Sequence, residues 1–373
     1  MKFTVDADEL RVATAHARST VARGHSAPIL GNILIETSEN AVNFRSTDIQ
    51  VELEITLDAK VVETGGLTVS ANVLNDLARR FPTGLQVEFE WNAADDERLR
   101  IKAGSTDCLL PTLPKDDFPV IARTDYDISF PVDTRVLYRL FDLSKVSVAP
   151  DSPRKYLQGV CLHTVDGPDG TILRCVSSDG FHMSRIDAVA PPGSESMEPI
   201  IIPHKAVLEV IKMLEGRDNA VQISVSKNKV QFSGSNMTFS VRVVNAKFPD
   251  YSQLIPEPAG IRMEVDSATC LNALSRMSAV TSREGTAVQF NMADDHLAMT
   301  VNSPFSGTIK EELNVAFPHK EMKIKFKHDQ LLGIFGLLKE GSVIVDFQAD
   351  AGATRFSSRN DQNALFVVMP IRI

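Results

Sequence analysis

Two clusters in this 373-residue chain have side chains of the kind that do chemistry. Ser177, Ser178, Asp179 and His182 supply hydroxyl, carboxylate and imidazole, the ingredients of nucleophilic catalysis. Asp294, Asp295 and His296 supply oxygen and nitrogen donors of the kind that hold a divalent metal. Neither cluster sits in a supporting signature, since the chain has no G-x-S-x-G, no H-E-x-x-H and no P-loop. Asp179-Gly180 reads more simply as a turn, and 293–296 as a hairpin tip between strands. Cys108, Cys161, Cys175 and Cys270 form no CxxC pair and read as reduced core thiols. The expectation is a protein that is not an enzyme and uses neither metal nor cofactor.

The elements that must carry these residues repeat. An apolar-x-Val-Asp tetrad opens a helix-like run at Phe3-Thr4-Val5-Asp6, Phe130-Pro131-Val132-Asp133 and Met263-Glu264-Val265-Asp266. The three aspartates lie 127 and 133 residues apart, a period of domain size rather than of a solenoid. Each tetrad is followed by a helix, a strand-rich stretch, a second helix (71–81, 204–217 and 328–339) and further strands. Val5-Asp6-Ala7-Asp8-Glu9-Leu10 also resembles Val69-Ser70-Ala71-Asn72-Val73-Leu74, with Asp6 and Ser70 placed to cap helix N-termini. The chain thus reads as six half-units, each strand–helix–strands, in an α+β fold. Linkers fall at 121–127 and 255–260, which gives domains at 1–124, 125–256 and 257–373.

Hydrophobic residues make up 43% of the chain, enough for three small cores, and no apolar run is long enough to span a membrane. Met1-Lys2-Phe3 leads straight into the first repeat without a signal peptide, so a cytoplasmic location is expected. The net charge of −9 argues at first against a nucleic-acid partner. Its distribution argues the other way. The six helical windows contain 14 Lys+Arg against 7 Asp+Glu, a net +7, which leaves −16 on strands and loops. In 134–147, Val136, Leu140 and Leu143 form the apolar stripe while Arg135, Arg139 and Lys145 fall elsewhere; Lys205 and Lys212 oppose the stripe of 204–217, and Arg276 that of 267–283. A surface built of such helices attracts phosphates without reading sequence.

Over essentially its whole length the chain resembles the bacterial DNA polymerase III β subunit family, the sliding clamps. The segments that carry the likeness are Met1-Lys2-Phe3-Thr4-Val5, Pro28-Ile29-Leu30-Gly31-Asn32, Ser178-Asp179-Gly180, Phe248-Pro249-Asp250-Tyr251 and Val367-Val368-Met369-Pro370-Ile371-Arg372-Ile373. The resemblance implies three tandem clamp domains and a head-to-tail homodimer. The dimer closes as a ring on duplex DNA, with helices lining the hole and sheets outside. It implies a processivity role in DNA replication, with the clamp-loader complex and the replicative polymerase α subunit as partners. Other polymerases and repair proteins dock through short linear motifs, in which a glutamine precedes leucine- and phenylalanine-type residues. The alternative is a peptide-binding scaffold that does not encircle DNA.

Carried over by position, the peptide cleft comprises Leu157, Ser178, Gly180, Phe181, His182, Met183, Pro249, Leu254, Val367, Met369, Pro370, Ile371, Arg372 and Ile373. The DNA-facing set is Arg23, Arg79, Arg80, Arg135, Arg139, Arg154, His204, Lys205, Lys212 and Arg276. The dimer contact is Arg100, Lys102, Cys108 and Leu110 against Val280, Thr281, Glu311 and Glu312. The chain departs from the family where Phe181-His182-Met183 replaces His-Arg-Leu and where Gln253 replaces a frequent arginine, so an altered motif preference is expected.

Overall fold

The computed structural model describes residues 1–21, 27–92, 98–119, 124–216, 219–281 and 286–371. Among them the strand–helix–strands unit occurs six times. The helices are α1 (Ala7–Thr20), α2 (Ala71–Ala78), α3 (Thr134–Ser144), α4 (His204–Leu214), α5 (Ser267–Met277) and α6 (His328–Leu337). Each follows directly on a strand: Lys2–Asp6, Gly66–Ser70, Ile128–Asp133, Ile200–Pro203, Ile261–Asp266 and Met322–Lys327. Three strands come after each helix, with Lys60–Glu63 as an addition in the first unit.

The tetrads explain this junction. Their first and third residues alternate onto the core face of the strand, and Phe3, Val5, Phe130, Val132, Met263 and Val265 are all buried. The aspartate then turns the chain into the helix. Asp6 Oδ1 accepts the N–H groups of Asp8 (2.8 Å) and Glu9 (3.3 Å), Asp133 Oδ1 that of Arg135 (2.8 Å) and Asp266 Oδ1 that of Thr269 (2.8 Å), so each satisfies helical donors that have no backbone partner. Ser70 departs from the expectation. It makes no side-chain cap, and its backbone is the last rung opposite Asn32.

The chain forms two compact units, Met1–Arg135 with Leu208–Val243, and Val136–Val207 with Val244–Ile373. These do not coincide with the repeats because hydrogen-bonded sheets cross the repeat boundaries. In the first unit a 13-stranded sheet is continuous through the pairing of Val51–Asp58 with Met237–Arg242, Met237 opposite Ile55 and Val241 opposite Val51. In the second, His182–Val189 pairs with Ala364–Val368 inside an eight-stranded sheet, and a four-stranded sheet stands beside it. Phe3 stacks on Phe89 at 4.7 Å between ring centroids in the first core, and Phe326 meets both Phe290 and Phe356 edge-on in the second.

Cys161, Cys175 and Cys270 are buried and free. Burial raises their thiols, that of Cys161 to about 12, so they are protonated core groups and not nucleophiles.

The capping account makes a quantitative prediction at Asp266. Hydrogen bonds from the Thr269 hydroxyl and backbone N–H lower its carboxyl pKa below the ordinary value of 3.8. Asp266→Ala should lower unfolding stability by about 1 kcal/mol at pH 7, and Asp266→Asn by much less. A depressed folded pKa stabilises above the unfolded value. The wild-type advantage should therefore hold above about pH 4 and decline as pH falls through the folded pKa. Denaturant titrations of the three proteins at several pH values measure both effects.

Candidate functional site

The turn between strands Gly170–Ser178 and His182–Val189 is built by its own side chains. Ser178 Oγ donates to His182 O (2.9 Å) and accepts from Gly180 N (3.0 Å). Asp179 Oδ1 accepts from the backbone N–H groups of Phe181 and His182, both at 2.7 Å. Gly180 takes φ of 91°, a region that favours glycine, and a methyl group there would meet the Arg154 guanidinium at 3.0 Å. Burial alone would raise the Asp179 pKa, but His182 and the two backbone donors outweigh it and hold the carboxyl at about 2.

This geometry resolves the apparent hydrolase cluster. Both serine hydroxyls are turned away from the imidazole. Ser177 Oγ donates to Ser144 O and shares a hydrogen bond with Ser184 Oγ. The His182 ring meets Asp179 Oδ2 through Nδ1 at 2.8 Å, and Val146 O through Nε2 at 3.0 Å. The amide of Gln330, on α6, lies 3.1 Å from the same Nδ1. Ser178, Asp179 and His182 thus shape and anchor a turn. Asp294 and Asp295 likewise form a two-residue hairpin tip at φ of 49° and 59°, and Asp295 Oδ1 accepts from Phe317 N.

The turn ends at a seam. His182–Val189 pairs with Ala364–Val368, and the ladder continues beyond the strand: Met369 N donates to Phe181 O at 2.8 Å and Ile371 N to Lys325 O at 2.7 Å. The tail is therefore docked along the edge of Met322–Lys327. Cys161, Val176, Met183, Ile201, Leu365 and Val367 form a buried apolar cluster here, with Tyr156, Phe248, Tyr251 and Ile255 packed against it. A hollow of about 360 Å³ lined by Pro199, Ile201, Ala246, Lys247 and Phe248 adjoins it.

The expected cleft residues separate into two layers. Leu157, Met183 and Val367 are buried and form a floor. Gly180, Phe181, Pro249, Leu254 and Met369 are exposed, with Ser178, Pro370 and Ile371 partly so. Large apolar side chains at 56% (Phe181), 55% (Leu254) and 48% (Met369) exposure mark an uncovered apolar site. His182 belongs to neither layer, because its ring is spent on the support beneath the turn. Arg372 and Ile373 lie outside the described residues.

Several supporting residues carried no local signal in the sequence. Tyr251 OH is 2.9 Å from His163 Nε2 and accepts from Arg174, which forms a two-point ion pair with Asp187 at 2.6 and 2.7 Å. Burial and the nearby Arg174 lower the His163 pKa to about 4, so a neutral imidazole holds Tyr251, and with it residues 248–255, against the sheet. Lys327 places its ammonium 4.6 Å from the Phe181 ring centroid.

The basic candidates differ in how free their charge is. In the first unit Arg79 is exposed near Asp76, Arg80 donates to the carbonyl of Asp76, Arg135 is exposed, and Lys212 pairs with Glu209 at 2.9 Å. In the second, Arg139 is held by Asp361 and by Asp187 O, and Arg276 by both oxygens of Glu311. Arg154 and Lys205 are exposed, while burial lowers the pKa of His204. Arg23 lies outside the described residues.

At the expected dimer contact, Arg100 pairs with Asp107, Lys102 with Glu90, Glu311 with Arg276 and Glu312 with Lys310. On Thr106–Leu113, Cys108 is half-buried and Leu110 faces the core, so Leu109 and Leu113 are the exposed apolar residues. Val280 and Thr281 are half-buried. Gly307–Asn314 ends its sheet, pairing on one side with His296–Ser303 among the described residues. Residues 106–111 pair with Arg98–Ala103, and among the described residues only Thr112 and Leu113 reach a strand on the other side.

Comparison with known proteins agrees with this architecture. The DNA polymerase III beta subunit N-terminal, central and C-terminal domain families match residues 1–122, 131–250 and 252–372. The beta sliding clamp of Caulobacter vibrioides is 29% identical over 373 residues, covering all of both chains. That of Escherichia coli K12 is 26% identical over 376 residues, again with full coverage. The crystal structure of a sliding clamp from Bartonella birtlesii bound to griselimycin superposes with a TM-score of 0.94 at 29% identity, over 100% of each chain. The chain therefore belongs to the DNA polymerase III beta subunit family, the processivity clamps of bacterial replication.

Proposed function

We propose that two copies of this chain pair head to tail as a ring around duplex DNA, with basic helices toward the DNA and the apolar cleft open to partner peptides. The observation that carries the ring is the pair of incompletely paired sheet edges, residues 106–111 in the first repeat and Gly307–Asn314 in the third. Exposed edges invite pairing with another chain, and a closed ring covers them. The domains are those bounded at 1–124, 125–256 and 257–373. The clamp-loader complex would open the ring, and the replicative polymerase α subunit, other polymerases and repair proteins would occupy the cleft in turn. The place of action is the cytoplasm, where the chromosome is copied.

The charged residues near the two edges already have partners within the chain, so closing the ring exchanges existing pairs and gains little from them. Apolar burial and main-chain pairing would do most of the work.

Leu109→Asp should therefore weaken the dimer about ten- to a hundredfold, read as a monomer shift by sedimentation velocity with an unchanged circular-dichroism spectrum. A dimer of wild-type strength would rule out this edge.

Charge reversal at Arg79, Arg80, Lys205 and Arg276 separates the ring from a scaffold that never touches DNA. Retention on loaded DNA should fall while cleft-peptide affinity stays within about twofold, a change too small to signal a lost contact. Unchanged retention would favour the scaffold.

A further inference from the structure

We infer that Glu209 is a positioning residue that withholds the Lys212 ammonium from DNA phosphates and so lowers the resistance to sliding. This rests on the ring reading above and adds a determinant of movement to it. Among the described residues three carboxylates are buried: Asp187, Glu209 and Asp346. Asp187 and Asp346 lie on strands, held by Arg174 and Arg262. Glu209 is the one on a helix, and its charge is directed at a cation of the expected DNA-facing set.

Both of its oxygens are engaged. Oε1 accepts from Lys212 Nζ at 2.9 Å, three residues along α4, and Oε2 lies 2.6 Å from Ser19 Oγ on α1. The Ser19 contact seats the carboxylate between helices of the first two repeats, and the Glu209 side chain is only 10% exposed. A carboxylate shielded from water attracts a neighbouring ammonium more strongly than a solvated one. The pair on α2 gives the contrast. Arg79 lies 3.8 Å from Asp76, whose side chain is 49% exposed, so that arginine is held weakly and can turn to a phosphate.

Lys205, Glu209 and Lys212 share one face of α4, at spacings of four and three residues. Both lysines are exposed. A lysine stem is flexible, and an untethered Lys212 would add one phosphate contact per copy of the chain. Such contacts must break at each step along the duplex. The buried carboxylate gives the ammonium a partner that travels with the protein.

The test loads the full chain, with its clamp loader and ATP, onto long duplex DNA blocked at both ends and follows diffusion by single-molecule fluorescence. Glu209→Gln keeps the side-chain size and removes the charge. It should diffuse about two- to fivefold more slowly than wild type at low salt, with the difference vanishing as ionic strength rises. Adding Lys212→Gln should restore the wild-type rate, with a larger gain than Lys212→Gln gives alone. Glu209→Asp should recover most of the speed, since Asp142 pairs with Lys145 at the same spacing on α3. A second measure leaves Glu209 intact: Arg79→Gln should speed sliding, and Lys212→Gln should do so less than half as much.

Wild-type sliding by Glu209→Gln would overturn the inference, as would an equal gain from Lys212→Gln and Arg79→Gln. Slowing that persists in the double variant or at high salt would show a displaced helix, and it too would overturn the inference. Wild type that leaves end-blocked DNA at high salt would overturn the ring reading itself.

Discussion

Main-chain hydrogen bonding across the repeat boundaries is the constraint on which the other features depend. A repeat that ended in a free strand edge would expose unpaired N–H and C=O groups. Here the edge of one repeat becomes the partner of the next, through Val51–Asp58 on Met237–Arg242 and His182–Val189 on Ala364–Val368. The second seam also creates the cleft. The turn from Asp179 to His182 feeds the seam strand, Met369 extends the ladder to Phe181 O, and Ile371 extends it to Lys325. A segment of apolar residues near a chain end is ordinarily frayed, and these backbone bonds hold residues 369–371 in place. The floor is apolar because Met183 and Val367 lie on the core face of the two seam strands, and Leu157 joins them from the short 3-10 turn 155–157.

Charge has a different role. Arg139, Lys212 and Arg276 each hold a carboxylate within their own unit. The field they add outside the protein is correspondingly small, and exposed pairs of this kind contribute little to stability. In the proposed ring this suits a clamp that must slide. Strong phosphate contacts would resist movement and would fail as salt rises, whereas a closed path retains DNA with weak contacts.

The repeat architecture was legible in the sequence because it depends on local rules. Alternating apolar residues followed by Asp give a strand and a capped helix, and the side chains of Phe3, Val5 and Asp6 do what those rules require. The grouping of half-units into two compact units was not legible. It is set by strand pairing between residues such as Ile55 and Met237, which no local pattern announces. The same holds within the site. Lys327 meets Phe181, and Gln330 meets His182, across long sequence separations. His182 read as a cleft residue because it adjoins Asp179-Gly180, yet both its ring nitrogens are engaged below the surface. Strand parity also decides that Leu109, and not Leu110, faces outward on Thr106–Leu113.

Topological retention on DNA is the central claim, and one experiment addresses it directly. The protein is loaded by its clamp loader with ATP onto nicked circular duplex DNA, transferred to high salt, and followed before and after the circle is cut. A closed ring should remain on the circle, because salt screens phosphate contacts without opening the protein, and should leave through the ends once the DNA is linear. Equal loss from circular and linear DNA at high salt would contradict encirclement and reduce the association to ordinary electrostatic binding.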